Sequence, residues 1–472
     1  MDEAIQSKCG LCVAHSLHDV YSYGKDLQHR GREGFGIAAI GPGGIDVLKL
    51  KGVVSDAKLK NLLGIFPANR YDLYMLHVRY ATQGREDRIL EDSHPHVIGG
   101  TTSDYGSHIH IRGCESVMIH NGQADLEGIA NDEISSNACD TKILLDYYKR
   151  HNEFELMKNI KGSFVMAIAD KSRAEVIIMR DRFGIKPGYM CEKDGKICVA
   201  SEDSALKNNG GEKTGEDLRP GVIYYLSAQG TIREIPIFNE QPKHCFFEWN
   251  YIANVASTID EVSVHKVRRE LGRSLAREFH PKGIDIITYL PECPIVAAET
   301  YAEELNRKIE DIFYKLKGER AFQGTTKQDR KDSIKRNLYI YPDKLQEIRG
   351  KNIVVVDDST IRGNNSAHAR ELLQEAGANK ISFINYTSKI GIIGEDRIPR
   401  GCLFGVDMPP EDDFVVRTKN KQRNREDWEI NRALKMEIYY LSPEGMFQAF
   451  ERAGMPRKNL CSYCIGGKHP FE

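Results

Sequence analysis

Residues 354–366 read "VVVDDSTIRGNNS". A run of β-branched residues ends at two adjacent carboxylates, Asp357 and Asp358, and gives way to a loop of Ser359, Arg362, Gly363, Asn364, Asn365 and Ser366. In open parallel sheets, ligands bind beyond the carboxyl ends of the strands. A loop that runs from there into a helix near Ser366 offers free backbone N–H groups and a helix dipole to a phosphate. The two acids repel phosphate, so they must face something else, sugar hydroxyls or Mg2+. A phosphorylated sugar satisfies both halves.

Cysteines form the second set of reactive residues. There are eleven, and "MDEAIQSK" is too short and too polar for a secretory signal, so thiols or metal ligands are expected rather than disulfides. "LCSYCIGG" supplies the pair Cys461 and Cys464, and Cys245 in "HCFFEWNY" and Cys402 in "RGCLFGVD" complete four ligands if folding gathers them. Spacing alone leaves zinc, an iron–sulfur cluster and no metal open. Cys9 and Cys12 share "CGLCVAHS"; Cys12 reads as a buried small hydrophobe in a strand.

Two textures of sequence must position these groups. Up to about residue 238 the chain reads as short strands with Gly and Asp/Asn turns: "GFGIAAIG", "YMLHVRYAT", "SVMIHNG", "SFVMAIAD", "AEVIIMRD", "KICVAS" and "GVIYYLS". One helix, "DTKILLDYYKR", with Asp140 as its cap, interrupts them. An α+β layered domain follows from that pattern. Beyond residue 240 helices alternate with apolar strands: "HKVRRELGRSLAREF", "GIDIITYL", "PIVAAETYAEELN", "IEDIFYK", "KNIVVVDD", "SAHARELLQEAGA" and "KISFINYT". That alternation predicts a parallel sheet of the α/β class. Residues 316–350 are rich in charge and poor in apolar periodicity, a surface loop or a closing lid.

The chain has 472 residues, enough for two or three domains, with a net charge of −2 and 28% charged residues. Such a balance argues against nucleic acid as a partner, and no apolar run of about 18 residues argues for a membrane span. A cytoplasmic enzyme is the expectation.

The stretch at 354–366 resembles the signature of type I phosphoribosyltransferases, in which the two acids hold the ribose hydroxyls of phosphoribosyl pyrophosphate and the loop cradles the 5-phosphate. "CGLCVAHS", "LQHRGREGFGIA", "HVRYATQG", "IHNG", "GSFVMAIAD", "RDRFGIKPG" and "ASE" together resemble the class II glutamine amidotransferase domain, an N-terminal-nucleophile hydrolase with an αββα fold. The two domains in this order resemble the amidophosphoribosyltransferase family.

The resemblance implies residues 1–8 as a removed leader, an amidotransferase domain at 9–240 and a phosphoribosyltransferase domain at 241–472. Cys9 would attack the amide of glutamine, with its own α-amine as base. Asn121 and Gly122 would form the oxyanion hole. Arg79 would pair with the α-carboxylate of glutamine and Asp140 with its α-ammonium, while His29, Arg30, Gly31 and Glu33 shape the floor. Ammonia would displace pyrophosphate from phosphoribosyl pyrophosphate with Mg2+ at Asp357 and Asp358, giving 5-phosphoribosylamine, the first step of purine synthesis. Cys245, Cys402, Cys461 and Cys464 would ligate a structural [4Fe–4S] cluster, as in the iron–sulfur subgroup with a cleaved leader. Inhibitory purine nucleotides and a homo-oligomer are further implications.

Departures concentrate in the second half. Asn364 and Asn365 stand where the signature has threonines. "PECP" (Pro291, Glu292, Cys293, Pro294) lacks the family's small hydroxyl residue, and the closing loop has Ala321 between Arg320 and Phe322 and Asn337 for a lysine. Two other readings follow: ammonia delivered to a different phosphorylated sugar or nucleotide, or a phosphoribosyl pyrophosphate-sensing regulator.

Overall fold

The computed structural model describes residues 9–80, 88–126, 129, 139–212, 214–315, 338–404, 406 and 408–471. Residues 1–8, 320–322 and 337 lie outside these, so the leader and the closing-loop departures have no structural account.

In the first half, thirteen strands among the described residues pair antiparallel into one sheet, with Gly10–Ala14 between Lys196–Ala200 and Leu73–Arg79, and His108–Asp125 between Gly44–Lys51 and Lys161–Asp170. The sheet folds over on itself. Leu11, Val13 and Met75 from one part of it share a buried core with Val117, Val165, Val176 and Tyr224 from the other. Helices Leu17–Asp26 and Leu59–Ile65 cover one outer face, and Asp140–Arg150 with Glu153–Asn159 covers the other. This is an αββα sandwich. Strands buried on both faces explain the near-continuous apolar runs: Gly162 to Asp170 is buried throughout.

Two local expectations change here. Helix Leu17–Asp26 is additional to the one expected; its buried face is only Leu17, Val20, Tyr23 and Gly24, too sparse a stripe to stand out, and the Ser16 hydroxyl caps it by accepting the Asp19 N–H at 3.1 Å. Asp140 is the first helical residue and not the cap, which is Cys139; its carboxylate accepts the Thr141 N–H at 2.7 Å instead.

In the second half, Ile286–Tyr289, Asn352–Asp357, Lys380–Asn385 and Glu437–Tyr440 form a parallel sheet in that order. Helix Val264–Glu278 buries Val267, Leu271 and Leu275 at helical spacing. The "IEDIFYK" segment does not join the sheet as a full strand. Ile309 makes an isolated parallel bridge to Ile287, and Phe313–Lys315 pairs antiparallel with Leu338–Ile340 as a separate ribbon. Helix Asn364–Glu375 starts two residues before Ser366, so both asparagines lie in its first turn.

Candidate active site

Cys9 immediately precedes Gly10–Ala14, and the pairing of that strand with Leu73–Arg79 brings Tyr80 beside it. Its Sγ accepts the Tyr80 N–H at 3.4 Å and lies 3.8 Å from the Tyr80 carbonyl. Burial pushes the thiol up, opposed by the Tyr80 backbone and the charge of Arg79. A thiol so protonated needs a base to become a nucleophile.

Asn121 and Gly122 lie on His108–Asp125 against Lys161–Asp170. A Cβ at Gly122 would stand 1.9 Å from the Ser163 carbonyl oxygen, so only glycine allows this approach. Asn121 is buried; its Nδ2 donates to Ser201 Oγ at 3.4 Å, and its Oδ1 has no hydrogen-bond partner among the described residues. The Ser201 hydroxyl also accepts the Leu11 N–H at 3.0 Å, so the "ASE" segment ties Asn121 to the strand that follows Cys9.

Arg79 ends its strand with Nη2 3.5 Å from Asp92 Oδ2, while its buried Nη1 has no hydrogen-bond partner among the described residues. That is a fork with one tine open to a carboxylate. Asp140 Oδ2 lies 3.7 Å from His120 Nδ1. Arg30 is buried: its Nε donates to the Cys9 carbonyl at 3.2 Å, Nη1 pairs with Glu202, and Nη2 donates to Glu248 at 2.8 Å. His29 Nε2 is 2.8 Å from Glu202, and the Glu33 N–H donates to the Arg79 carbonyl at 3.3 Å. Against the upward pull of burial, His29 and Arg30 hold the Glu202 carboxyl well below the usual carboxylate range.

Asp357 and Asp358 are buried at the carboxyl end of an inner strand of the parallel sheet. Ser359 Oγ donates to Asp358 at 2.8 Å, Thr360 Oγ1 donates to Asn385 Oδ1 at 2.9 Å, and Ser366 Oγ lies 3.3 Å from Thr360 Oγ1. Arg362 pairs with Asp412. Gly363 caps the helix at φ +84°, and a Cβ there would meet Leu434 at 2.4 Å. The Cys293 thiol donates to the Asn250 carbonyl at 3.3 Å and lies 3.5 Å from the Tyr386 hydroxyl.

The four cysteines of the second half come together. Cys245 and Cys461 are partners in a two-strand parallel pairing, Cys464 follows in the next turn, and Val406 N–H donates to Cys402 Sγ at 3.3 Å. Burial first, then the charges of Cys402, Cys461 and Cys245, push the Cys464 thiol up, which marks the four as electrostatic neighbours. Their platform is "RDRFGIKPG": Asp181 accepts the N–H groups of Phe183, Ile185 and Lys186 at 2.9–3.1 Å, and the Ile185 carbonyl accepts the Cys245 N–H at 3.4 Å. Arg180 pairs bidentately with Asp260 at 2.7 and 2.8 Å, joining the halves.

Among the described residues, His94, His96 and Cys139 also bring donor atoms within 4.8 Å of one another. His94 Nδ1 already accepts the His120 N–H at 3.0 Å, and the charges of Lys49, Lys142 and Arg79 reach His96. An ordered imidazole stack, with His77 and His94 centroids 4.0 Å apart, describes this group better than a cation site.

The fold is that of a glutamine amidotransferase domain of the N-terminal-nucleophile type joined to a phosphoribosyltransferase domain with a parallel sheet. Residues 117–208 match a glutamine amidotransferase domain family. The chain is 28% identical to an amidophosphoribosyltransferase of Methanocaldococcus jannaschii, covering 94% of this chain and 93% of that one. It is 27% identical to the Methanothermobacter thermautotrophicus amidophosphoribosyltransferase, covering 99% and 96%. Among solved structures, the glutamine phosphoribosylpyrophosphate amidotransferase of B. subtilis, complexed with ADP and GMP, superposes with a TM-score of 0.77 at 22% identity, covering 98% of this chain and 97% of that one. A second, described as the allosteric regulatory enzyme of purine biosynthesis, gives 0.78 at 23%, covering 98% and 96%. Along nearly its whole length the chain is similar to amidophosphoribosyltransferases.

Proposed function

We propose that the chain is a glutamine-dependent amidophosphoribosyltransferase that makes 5-phosphoribosylamine from phosphoribosyl pyrophosphate and glutamine at the first step of purine synthesis. The observation that carries this is the tyrosine pair between the two sites. Tyr80 holds Cys9 through its backbone, and the phenol of Tyr251 lies within electrostatic reach of Tyr80, Cys293, Asp357 and Asp358. Burial, then the charge of Asp358, keeps the Tyr251 phenol neutral.

In this reading residues 1–8 are removed, 9–240 form the amidotransferase and 241–472 the phosphoribosyltransferase. The α-amine of Cys9 takes the thiol proton, sulfur attacks the glutamine amide, and Asn121 Nδ2 and Gly122 N–H stabilise the oxyanion. The α-ammonium returns that proton to the leaving nitrogen, the C–N bond breaks, ammonia leaves, and water hydrolyses the thioester to glutamate, restoring the thiol. Arg79 Nη1 and Asp140 hold the two ends of glutamine's α-carbon. Asp357 and Asp358 hold the ribose hydroxyls, and Ser359 with residues 362–366 holds the 5-phosphate. The hard oxygen donors of the acid pair fit Mg2+, which when bound neutralises charge on the departing pyrophosphate.

Four neighbouring thiols fit a [4Fe–4S] cluster. Purine nucleotides as inhibitors, a homo-oligomer and a cytoplasmic location complete the reading; among the described residues no helix is long and apolar enough to cross a membrane.

The Cys293 thiol turned onto the Asn250 carbonyl favours one second reading, ammonia delivered to another phosphorylated sugar. Pyrophosphate release from phosphoribosyl pyrophosphate, with free ammonia and then with glutamine as donor, decides. Release with both supports an amidophosphoribosyltransferase; release with neither excludes it.

A further inference from the structure

Cys9 and the acid pair lie in different halves of the chain, and one short turn is linked to each through an intermediate residue. Glu248–Ile252 is a buried five-residue helical turn. At its start Glu248 accepts Arg30 Nη2 at 2.8 Å and Lys186 Nζ at 3.2 Å, and Arg30 in turn donates to the Cys9 carbonyl at 3.2 Å. Two residues on, the Asn250 carbonyl accepts the Tyr386 hydroxyl at 2.7 Å and the Cys293 thiol at 3.3 Å, and Asn250 Nδ2 donates to Thr387 Oγ1 at 2.9 Å. Tyr386 and Thr387 donate their N–H groups to the carbonyls of Asp357 and Asp358 at 3.2 and 3.1 Å. The nucleophile's backbone, the acid pair's backbone and the Cys293 loop are therefore all anchored on the same five residues.

We propose that this turn couples the two half-reactions, with Glu248 as the positioning residue through which the state of the phosphoribosyl site sets the placement of Cys9. The proposal rests on the function proposed above. Arg30, Lys186 and Glu248 are all buried, and separating charges there is far more costly than in water, so a shift of the turn moves Arg30 with it rather than being absorbed by solvent. Asn250 Oδ1 is buried without a hydrogen-bond partner among the described residues, so the turn is held on the phosphoribosyl side through its carbonyl and Nδ2. The described link from Glu248 to the acid pair runs through the backbone of the turn.

The test measures three rates on the full-length protein: glutaminase alone, glutaminase with phosphoribosyl pyrophosphate, and ammonia-dependent pyrophosphate release. The variants are Glu248→Gln, which keeps size and loses charge, and Tyr386→Phe, which removes only the hydroxyl on the opposite side of the turn. Coupling between sites is typically on the order of 5–150-fold. Each variant is expected to cut the stimulation of glutaminase to within about threefold of unity while ammonia-dependent release and unstimulated glutaminase persist. Should Glu248→Gln not fold, Glu248→Gln with Lys186→Met removes one buried charge of each sign and replaces it. Stimulation retained in both variants, or a parallel loss of all three rates, overturns the proposal. A parent protein that releases no pyrophosphate with ammonia overturns the function proposed above, and the coupling with it, and so is told apart from failure of the relay alone.

Discussion

Arg79→Lys separates glutamine recognition from transfer. Nη2 is engaged with Asp92 at 3.5 Å and the buried Nη1 has no hydrogen-bond partner among the described residues, so in the proposed function the glutamine carboxylate gains one charge-assisted hydrogen bond that a lysine ammonium cannot reproduce in the same fork geometry. Such a bond contributes about 1.5–3 kcal/mol. At about 1.4 kcal/mol per tenfold, the loss corresponds to a rise in KM for glutamine of about 10- to 150-fold. The assay is steady-state glutamate formation against glutamine concentration, with ammonia-dependent pyrophosphate release as the internal control. The reasoning predicts a raised KM for glutamine with unchanged ammonia-dependent release. An unchanged KM refutes the assignment of Nη1, and a matching fall in ammonia-dependent release refutes its restriction to the glutaminase half.

Other consequences follow from particular residues. Burial, then the neighbouring Asp260 charge, raises the Asp217 carboxyl to about 7, against about 3.9 in an unfolded chain. The folded state therefore holds this proton more tightly, so its stability falls as pH rises from about 4 to 7. At about 1.4 kcal/mol per unit, discounted for partial exposure, Asp217→Asn is expected to stabilise by about 2–4 kcal/mol at pH 8 and not at pH 4. Equal shifts in urea midpoint at both pH values contradict this. Gly363→Ala forces a Cβ into the left-handed region at φ +84° and against Leu434, a strain of about 1–2 kcal/mol. It should raise KM for phosphoribosyl pyrophosphate and leave unstimulated glutaminase intact; loss of both points to misfolding instead. Anaerobically purified protein should carry about four iron and about four acid-labile sulfide per chain, and stoichiometric zinc contradicts the cluster.

The sequence carried local signals well and distant pairings poorly. Asp357 and Asp358 at a strand end were legible because the β-branched run, the acids and the loop are contiguous. The sandwich was legible as a succession of short apolar strands, but Gly44–Lys51 and His96–Asp104 were not, since their pattern alternates with charge and glycine. Helix Asn364–Glu375 starts earlier than its polar first turn suggests because Gly363 supplies the left-handed cap. The Arg30–Glu248 contact spans 218 residues and Arg180–Asp260 spans 80, separations at which no periodicity records a partner. Glu202 and Asp181 sit in the quoted segments "ASE" and "RDRFGIKPG", where their buried surroundings alone reveal their work.

The central claim is that glutamine hydrolysis at Cys9 feeds ammonia to the acid-pair site. Glutamine labelled at the amide nitrogen, turned over with phosphoribosyl pyrophosphate amid unlabelled ammonium, tests it directly. The account predicts one glutamate and one pyrophosphate per turnover, with the label retained in the phosphoribosylamine. Label diluted to the level of the bulk ammonium, or glutamate formed without pyrophosphate, contradicts it.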